Sequence, residues 1–279
     1  MSTAQTVQLP FLDLDDPALK PKVDYTPTEV HHEHSAGHSH AHHGHGASDT
    51  HQAHTAAAVD YVEENKKHFN KVADHNHDDP RWVLLGKRSA AEIIKRYPFD
   101  KDATLVLDFA SNAGLVAREL LPHSKQIIGV DISDRAIAVF NDWVSKQGIS
   151  SEKMRGIAVE LKGEEGELDG MKFDVITCTA SYHHFEDINK MTKLLAFFLK
   201  PGGVLLITDM LKQEEKAVIP GKAFDHIVPH RHGLSEEGLK DAFEGAGLTT
   251  FALDHFSRVK IMDMESILFV ASGKKPAAV

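Results

Sequence analysis

Residues 104–133 read TLVLDFASNAGLVARELLPHSKQIIGVDIS, and the order of apolar and small residues in this stretch decides the fold. An apolar run, Leu105-Val106-Leu107, ends on Asp108, and a turn of small residues follows, Ala110-Ser111-Asn112-Ala113-Gly114. Leu115, Val116, Leu120 and Leu121 then recur at helical spacing until Pro122. A second apolar run, Ile127-Ile128-Gly129-Val130, stops at Asp131. The pattern predicts strand, tight turn, helix and strand, with an acid at the tip of each strand. Such a unit suits a nucleoside. Small turn residues let backbone N–H groups approach a ligand, and a carboxylate ending the second strand can accept both ribose hydroxyls.

With 279 residues the chain can bury a full core. Its 41 acidic and 31 basic residues give a formal charge of −10, which argues against a general nucleic-acid binder. Cys178 is the single cysteine, so no intrachain disulfide forms, in keeping with a reducing compartment. The N-terminus lacks the basic start and apolar core of a signal peptide, and no run approaches the roughly 18 apolar residues that span a bilayer. The expectation is a soluble protein of the cytoplasm, the nucleus or both, without a membrane partner.

Residues 1–56 read as a disordered, histidine-rich arm. The tract from His31 to His54 holds ten of the chain's 20 histidines and cannot bury a core. Two readings of it stand: weak transition-metal binding by imidazoles at H-x-H spacing, and a solvated spacer whose charge rises below about pH 6.5. No metal is assigned to the active site. Residues 57–100 read as a helical cap, with one helix from Ala57 to about Ala73 (apolar at Val59, Val62, Phe69 and Val72). A second helix over 82–97 turns Leu84, Leu85, Ala91, Ile93 and Ile94 inward.

Residues 101–279 form the main domain. A helix over 135–147 buries Ile137, Ala138, Phe140, Trp143 and Val144, and strands are predicted over 156–161 and 173–178. After a helix end at 193–199, Pro201-Gly202-Gly203 opens a strand that runs to Asp209. Ser235 caps a helix burying Leu239, Ala242 and Phe243, and strands over 249–259 and 266–271 pair antiparallel.

Here the motifs resemble a family. Asp108-Phe-Ala-Ser-Asn-Ala-Gly114 is similar to the first motif of class I S-adenosylmethionine methyltransferases, an acid-x-Gly-x-Gly-x-Gly turn. Ala110 and Asn112 stand where the first two glycines are usual, and Gly114 is retained. Alanine is the smallest substitute and asparagine tolerates a positive φ well, so the turn can form. The stretch Phe69-Asn-Lys-Val-Ala-Asp-His-Asn-His-Asp-Asp-Pro80 resembles a segment that closes over the cofactor in one subgroup, with His75 or Asn76 where an aromatic residue is usual. The run from Phe173 through His183-His184-Phe185 resembles the family's F-D … H-H segment. Leu199-Lys-Pro-Gly-Gly resembles its L-x-P-G-G turn. His232, Gly233 and Leu234 match the last three positions of an H-H-G-F motif. The resemblance covers about residues 69–272.

It implies a Rossmann-like, doubly wound α/β sheet of seven strands with an antiparallel last pair. It also implies in-line transfer of a methyl group from S-adenosylmethionine to a small-molecule or protein acceptor. The cofactor-binding set is then Asp108, Ala110, Ser111, Asn112, Gly114, Asp131, Ile132 and Thr179. Asp131 takes the ribose or merely caps the next helix; Asp108 orients the turn or reaches the methionine amino group. The acid that holds the adenine amino group in relatives falls within 162–167, where Glu164 and Glu165 read first as a solvated loop. His183, His184 and His232 are the candidate catalytic residues for an acceptor that must lose a proton, and Tyr182 is a further candidate acceptor contact. Cys178 reads as a core residue. The insertion over 211–233 favours a small acceptor. An alternative is a catalytically weak subunit acting through protein association in a regulatory complex, as a hetero-oligomer, like some fungal methyltransferase-like proteins. An NAD-dependent oxidoreductase fails, because its G-x-G-x-x-G turn is missing.

Overall fold

In the computed structural model, which describes residues 9–19, 59–213, 217–219 and 224–278, the alternating apolar runs assemble into one mixed sheet. Strand β1 is Phe11–Asp13, and helices α1 (Tyr61–Asn76) and α2 (Pro80–Arg96) follow. Next come β2 (Leu105–Phe109), α3 (Leu115–Leu120), β3 (Gln126–Asp131), α4 (Asp134–Lys146), β4 (Met154–Ala158) and β5 (Phe173–Thr179). The chain closes with α5 (Ile188–Phe198), β6 (Leu199–Met210), α6 (Glu236–Gly245), β7 (Thr249–Ile261) and β8 (Met264–Lys274). The strand order is β1-β7-β8-β6-β5-β2-β3-β4. Strands β2 to β6 run parallel, while β8 pairs antiparallel with both β6 and β7.

Neighbouring residues on each central strand serve opposite faces, as a period of two requires. On one face Leu107, Ile128, Ile176 and Leu205 pack with Leu195 and Phe198 of α5 and Phe243 of α6. On the other, Val106, Ile127, Val175 and Leu206 pack with Ile93 of α2, Leu120 of α3 and Phe140 of α4. Five of the helices begin on an oxygen-bearing side chain that accepts a backbone N–H: Asp60, Asp79, Ser133, Asp187 and Ser235.

The sheet has eight strands, not the expected seven. The additional one, β1, lies in the segment read as a disordered arm and pairs parallel with β7. Leu12 and Leu14 are buried there, which repays ordering so short a strand. The histidine tract lies outside the described residues. Among the described residues no group of histidine, cysteine and acidic side chains is gathered to hold a metal ion, and no helix is long and apolar enough to cross a membrane. The third strand of the main domain spans 154–158 rather than 156–161, because its one neighbour, β3, stops at Asp131. Val159 N makes the last ladder bond, to Asp131 O at 2.9 Å. Ala91 and Ala138 are exposed, and Ala90, Ala136 and Val139 face inward instead. Val59 and Val62 are also exposed.

The Phe140 ring is packed where two glycines leave room. A Cβ on Gly114 would lie 2.4 Å from Phe140 Cδ2, and one on Gly129 would lie 2.6 Å from Cε2. Gly114 also has φ +80°. Gly114→Ala therefore combines a left-handed backbone penalty with overpacking and is expected to cost about 3 kcal/mol. Urea unfolding with an unchanged m-value measures it; a loss below about 1 kcal/mol refutes the packing argument.

Candidate active site

The turn between β2 and α3 keeps its shape with one glycine. Ala110, Asn112 and Gly114 have φ of 53°, 48° and 80°. All three positions where the related turn carries glycine are thus left-handed here, two of them occupied by other residues. Local hydrogen bonds hold the strained backbone. Ser111 N donates to Val130 O, Gly114 N donates to Ser111 O, and Asn112 Oδ1 accepts from Ala113 N. Asn112 N donates to Asp131 Oδ2 at 2.8 Å, which ties the turn to the tip of β3.

Above the carboxyl ends of the parallel strands lies a cavity of about 1490 Å³. It opens where the order of crossovers reverses, between β2 and β5, the usual ligand position in an open α/β sheet. Asp108, Ala110, Ser111, Asn112, Asp131, Ile132 and Thr179 all line it. Gly114 does not; it starts α3 and leaves space for Phe140. Asp108 Oδ1 accepts from the Thr177 hydroxyl at 2.9 Å, and burial pushes its carboxyl up to about 7. Asp131 is also raised by burial, against the pull of the Ser133, Asn112 and Ile132 N–H groups. The cap of α4 is Ser133, which accepts from Ala136 N, so the carboxylate of Asp131 is not itself that cap.

Five polar atoms of lining residues are buried with no partner among the described residues: Asn65 Oδ1 on the cap side, and Asp108 Oδ2, Ser111 Oγ, Thr179 Oγ1 and Thr208 Oγ1 above the strands. Buried polar atoms are costly to leave unpaired, so this cluster is a surface shaped for a polar ligand. It fits the amino-acid and ribose ends of a nucleosidic cofactor.

At the mouth of β5 stand the two histidines. His183 Nδ1 lies 2.8 Å from Asp209 Oδ1, and His183 N donates to Asp209 Oδ2. Asp209, the penultimate residue of β6, has a fully buried side chain, and the 26 positions that separate it from His183 hide the pair from the sequence. His184 Nδ1 lies 2.8 Å from the Ile227 carbonyl, to which only a donor can bind, so Nδ1 carries the hydrogen. Burial first, and the neighbouring His183 second, hold the His184 imidazole well below the usual histidine range. The ring centroids are 4.3 Å apart, and both residues line the cavity. Asn65 Nδ2 of α1 donates to the same Ile227 carbonyl at 2.9 Å, so helical cap, insertion and histidine pair meet at one oxygen.

Two candidate contacts, His232 and Tyr182, fall elsewhere, and Glu164 and Glu165 lie in a solvated loop, as expected. His232 is exposed and does not line the cavity; its segment acts through backbone, with Gln213 N donating to His232 O and Lys212 N to Leu234 O. Tyr182 is buried beneath the cavity, with its hydroxyl 3.1 Å from Thr192 Oγ1. Glu164 and Glu165 are exposed and away from the cavity, whereas Glu160, just past the end of β4, lines it. Cys178 is buried in the core, and burial raises its thiol well above the ordinary range. From the cap and the insertion, Phe69, Val72, His75, Phe224 and Ile227 complete the walls.

The fold and this cavity define an open α/β protein with a ligand-sized site at its switch point. The family model for the methyltransferase domain matches residues 85–253, and the chain belongs to that family. An uncharacterized methyltransferase of Schizosaccharomyces pombe is 26% identical over a gapped alignment of 228 positions that covers 68% of this chain and 80% of that protein. Among solved structures, a putative methyltransferase of Haloferax volcanii in complex with the Trm112 methyltransferase activator has TM-score 0.58 at 17% identity, over 75% of this chain and 97% of that one. A phosphoethanolamine N-methyltransferase of Haemonchus contortus in complex with S-adenosyl-L-methionine has TM-score 0.54 at 16% identity, over 75% of this chain and 60% of that one. At such identities the solved structures establish the fold alone. As a member of that family, the chain is an S-adenosylmethionine-dependent methyltransferase.

Proposed function

We propose that the enzyme methylates a small molecule at an oxygen or nitrogen that gives up its proton, and that His183 receives that proton. The observation that carries this reading is the buried His183–Asp209 pair facing the cavity. The bound cofactor supplies an activated methyl group on a cationic sulfur. Asp131 holds the ribose hydroxyls, and the backbone of Ala110, Ser111 and Asn112 approaches the methionine end. Asp108 Oδ2 accepts from the methionine ammonium, and Ile132 and Glu160 flank the base.

The proton of the acceptor passes to His183 Nε2 as its heteroatom forms the new bond to carbon. Positive charge thus appears on the imidazole as it disappears from sulfur. Asp209 stabilises the imidazolium through Nδ1 and fixes which nitrogen is free. His184 has only a carbonyl at Nδ1, so no carboxylate favours its charged form, and it stays neutral beside the pair. The regulatory alternative gains nothing from this site, since a protein working by association needs no buried acid–base pair.

Calorimetric titration with S-adenosylmethionine and S-adenosylhomocysteine tests the cofactor half of the proposal. Release of methylated product from phenol- or amine-bearing acceptors tests the rest. Micromolar binding is expected, and no binding of either ligand overturns the reading.

The Asp108 assignment adds a pH signature. Below about pH 7 its carboxyl is mostly protonated in the free enzyme. An ammonium partner favours the ionised form, so binding expels a proton and tightens as pH rises. Affinity at pH 6 is expected to be about tenfold weaker than at pH 8, and Asp108→Asn should flatten the profile. A flat profile in the unmodified enzyme would remove Asp108 from the ammonium.

A further inference from the structure

The cavity is larger than its cofactor requires. Single ligands of drug size occupy about 300–1,000 Å³, against about 1490 Å³ here. Its lining also changes character across the sheet. The polar residues lie over β3, β2 and β5, whereas a second lobe runs past β6 beneath α2 towards β1. Leu14, Trp82, Leu85, Phe256, Val259 and Leu268 wall this lobe, and every one belongs to the apolar cluster on the α2 side of the sheet. From β6 through β8 and β7 to β1 is three strand spacings, about 14 Å.

The charged side chains lining this end are already engaged. Asp15 accepts from Met262 N and Asp263 N, and Asp79 is paired with Arg81. A hollow of this kind does not hold water well and takes an apolar guest. Among the described residues, the exposed large apolar side chains are Phe11, Val59, Val62 and Met262, and the last three also line the cavity.

We propose that this lobe is a tail-binding site, and that the acceptor is a nucleophilic head carrying an extended aliphatic chain. The proposal rests on the active-site reading above, which puts the reacting head beside His183. The chain then runs from Met210 at the end of β6 towards Leu14, with the cofactor in the polar half. Strand β1, which ends immediately before Leu14, closes the far wall.

The test uses the full-length protein and two fluorescent probes, dansyl-undecanoate and dansylglycine, each titrated with and without S-adenosylhomocysteine. The long-chain probe is expected to saturate about a hundredfold more tightly than dansylglycine, because only its methylenes differ. Saturating S-adenosylhomocysteine should not displace it. Leu85→Arg, at a half-buried position in α2, should weaken it about tenfold or more while S-adenosylmethionine binding by calorimetry stays within about twofold. Met262→Glu, on the exposed hairpin, gives a second variant that cannot disturb the core and should weaken it about threefold. Equal affinity for the two probes overturns the tail site, as does displacement by S-adenosylhomocysteine. So does indifference of long-chain binding to both substitutions. If the cofactor binds and the long chain does not, only the tail site falls; if neither binds, the active-site reading falls with it.

Discussion

His183→Ala is expected to lower kcat by about 100- to 10,000-fold with any protic acceptor, while S-adenosylmethionine affinity is unchanged. The alanine removes the nitrogen that takes the proton and leaves the cofactor half of the cavity untouched. Asp209 would then be a buried carboxylate with its Met210 and His183 backbone donors but without the imidazole. Some loss of stability therefore accompanies the rate effect, and His183→Gln, closer in size, separates the two. Asp209→Asn keeps the imidazole in place but removes the charge that stabilises its cation, so kcat should fall on the order of 100-fold. A purely structural pair would lower thermal stability and leave the acidic limb of the pH–rate profile where it was. If His183 is the base, the limb is lost in His183→Ala and is displaced to lower pH in Asp209→Asn. His184→Ala is the internal control: it should affect the seating of the insertion, through Ile227, more than the shape of the profile.

Much of the fold was legible because its parts are local. Asp108, the small turn and Asp131 sit within one strand–turn–helix–strand unit; the positive φ at Asn112 agrees with asparagine's tolerance, while that at Ala110 is a strain held by the turn's hydrogen bonds. What escaped the sequence depends on distant partners. Asp209 becomes meaningful only when β5 and β6 lie side by side and bring Thr179 level with Thr208. Strand β1 is three residues long, shows no period, and owes its order to β7, whose paired residues lie 247 positions away. His232 matched a motif by spelling, yet that segment is held through backbone hydrogen bonds, which spelling does not reveal. In the sequence, Val159 and Leu161 extend the apolar run of the third strand beyond its paired residues, Met154–Ala158. Its length is set by β3, not by its own pattern.

Asp131→Ala is expected to weaken S-adenosylhomocysteine binding by about 100-fold or more, since a charge-assisted hydrogen bond contributes about 1.5–3 kcal/mol and the ribose offers two. That number alone does not identify the contact. Asp131 also accepts from Asn112 N and Ser133 N, each at 2.8 Å, so alanine loosens the turn as well as emptying the ribose position. The two roles part when the ligand is varied together with the residue. In the unmodified enzyme, an analogue lacking both ribose hydroxyls should bind about 100-fold more weakly than S-adenosylhomocysteine. If the carboxylate holds those hydroxyls, the Asp131→Ala enzyme should hardly distinguish the two ligands, and the double cycle should show coupling of about 2.7 kcal/mol. If the carboxylate serves only the turn, the substitution weakens both ligands by one factor and the coupling is zero. Asp131 is 9% exposed, with Oδ2 accepting from Asn112 N and Oδ1 from Ser133 N, and each carboxylate oxygen can accept more than one hydrogen bond. Two hydroxyls on adjacent ribose carbons match two such acceptors, which is why coupling is the outcome expected.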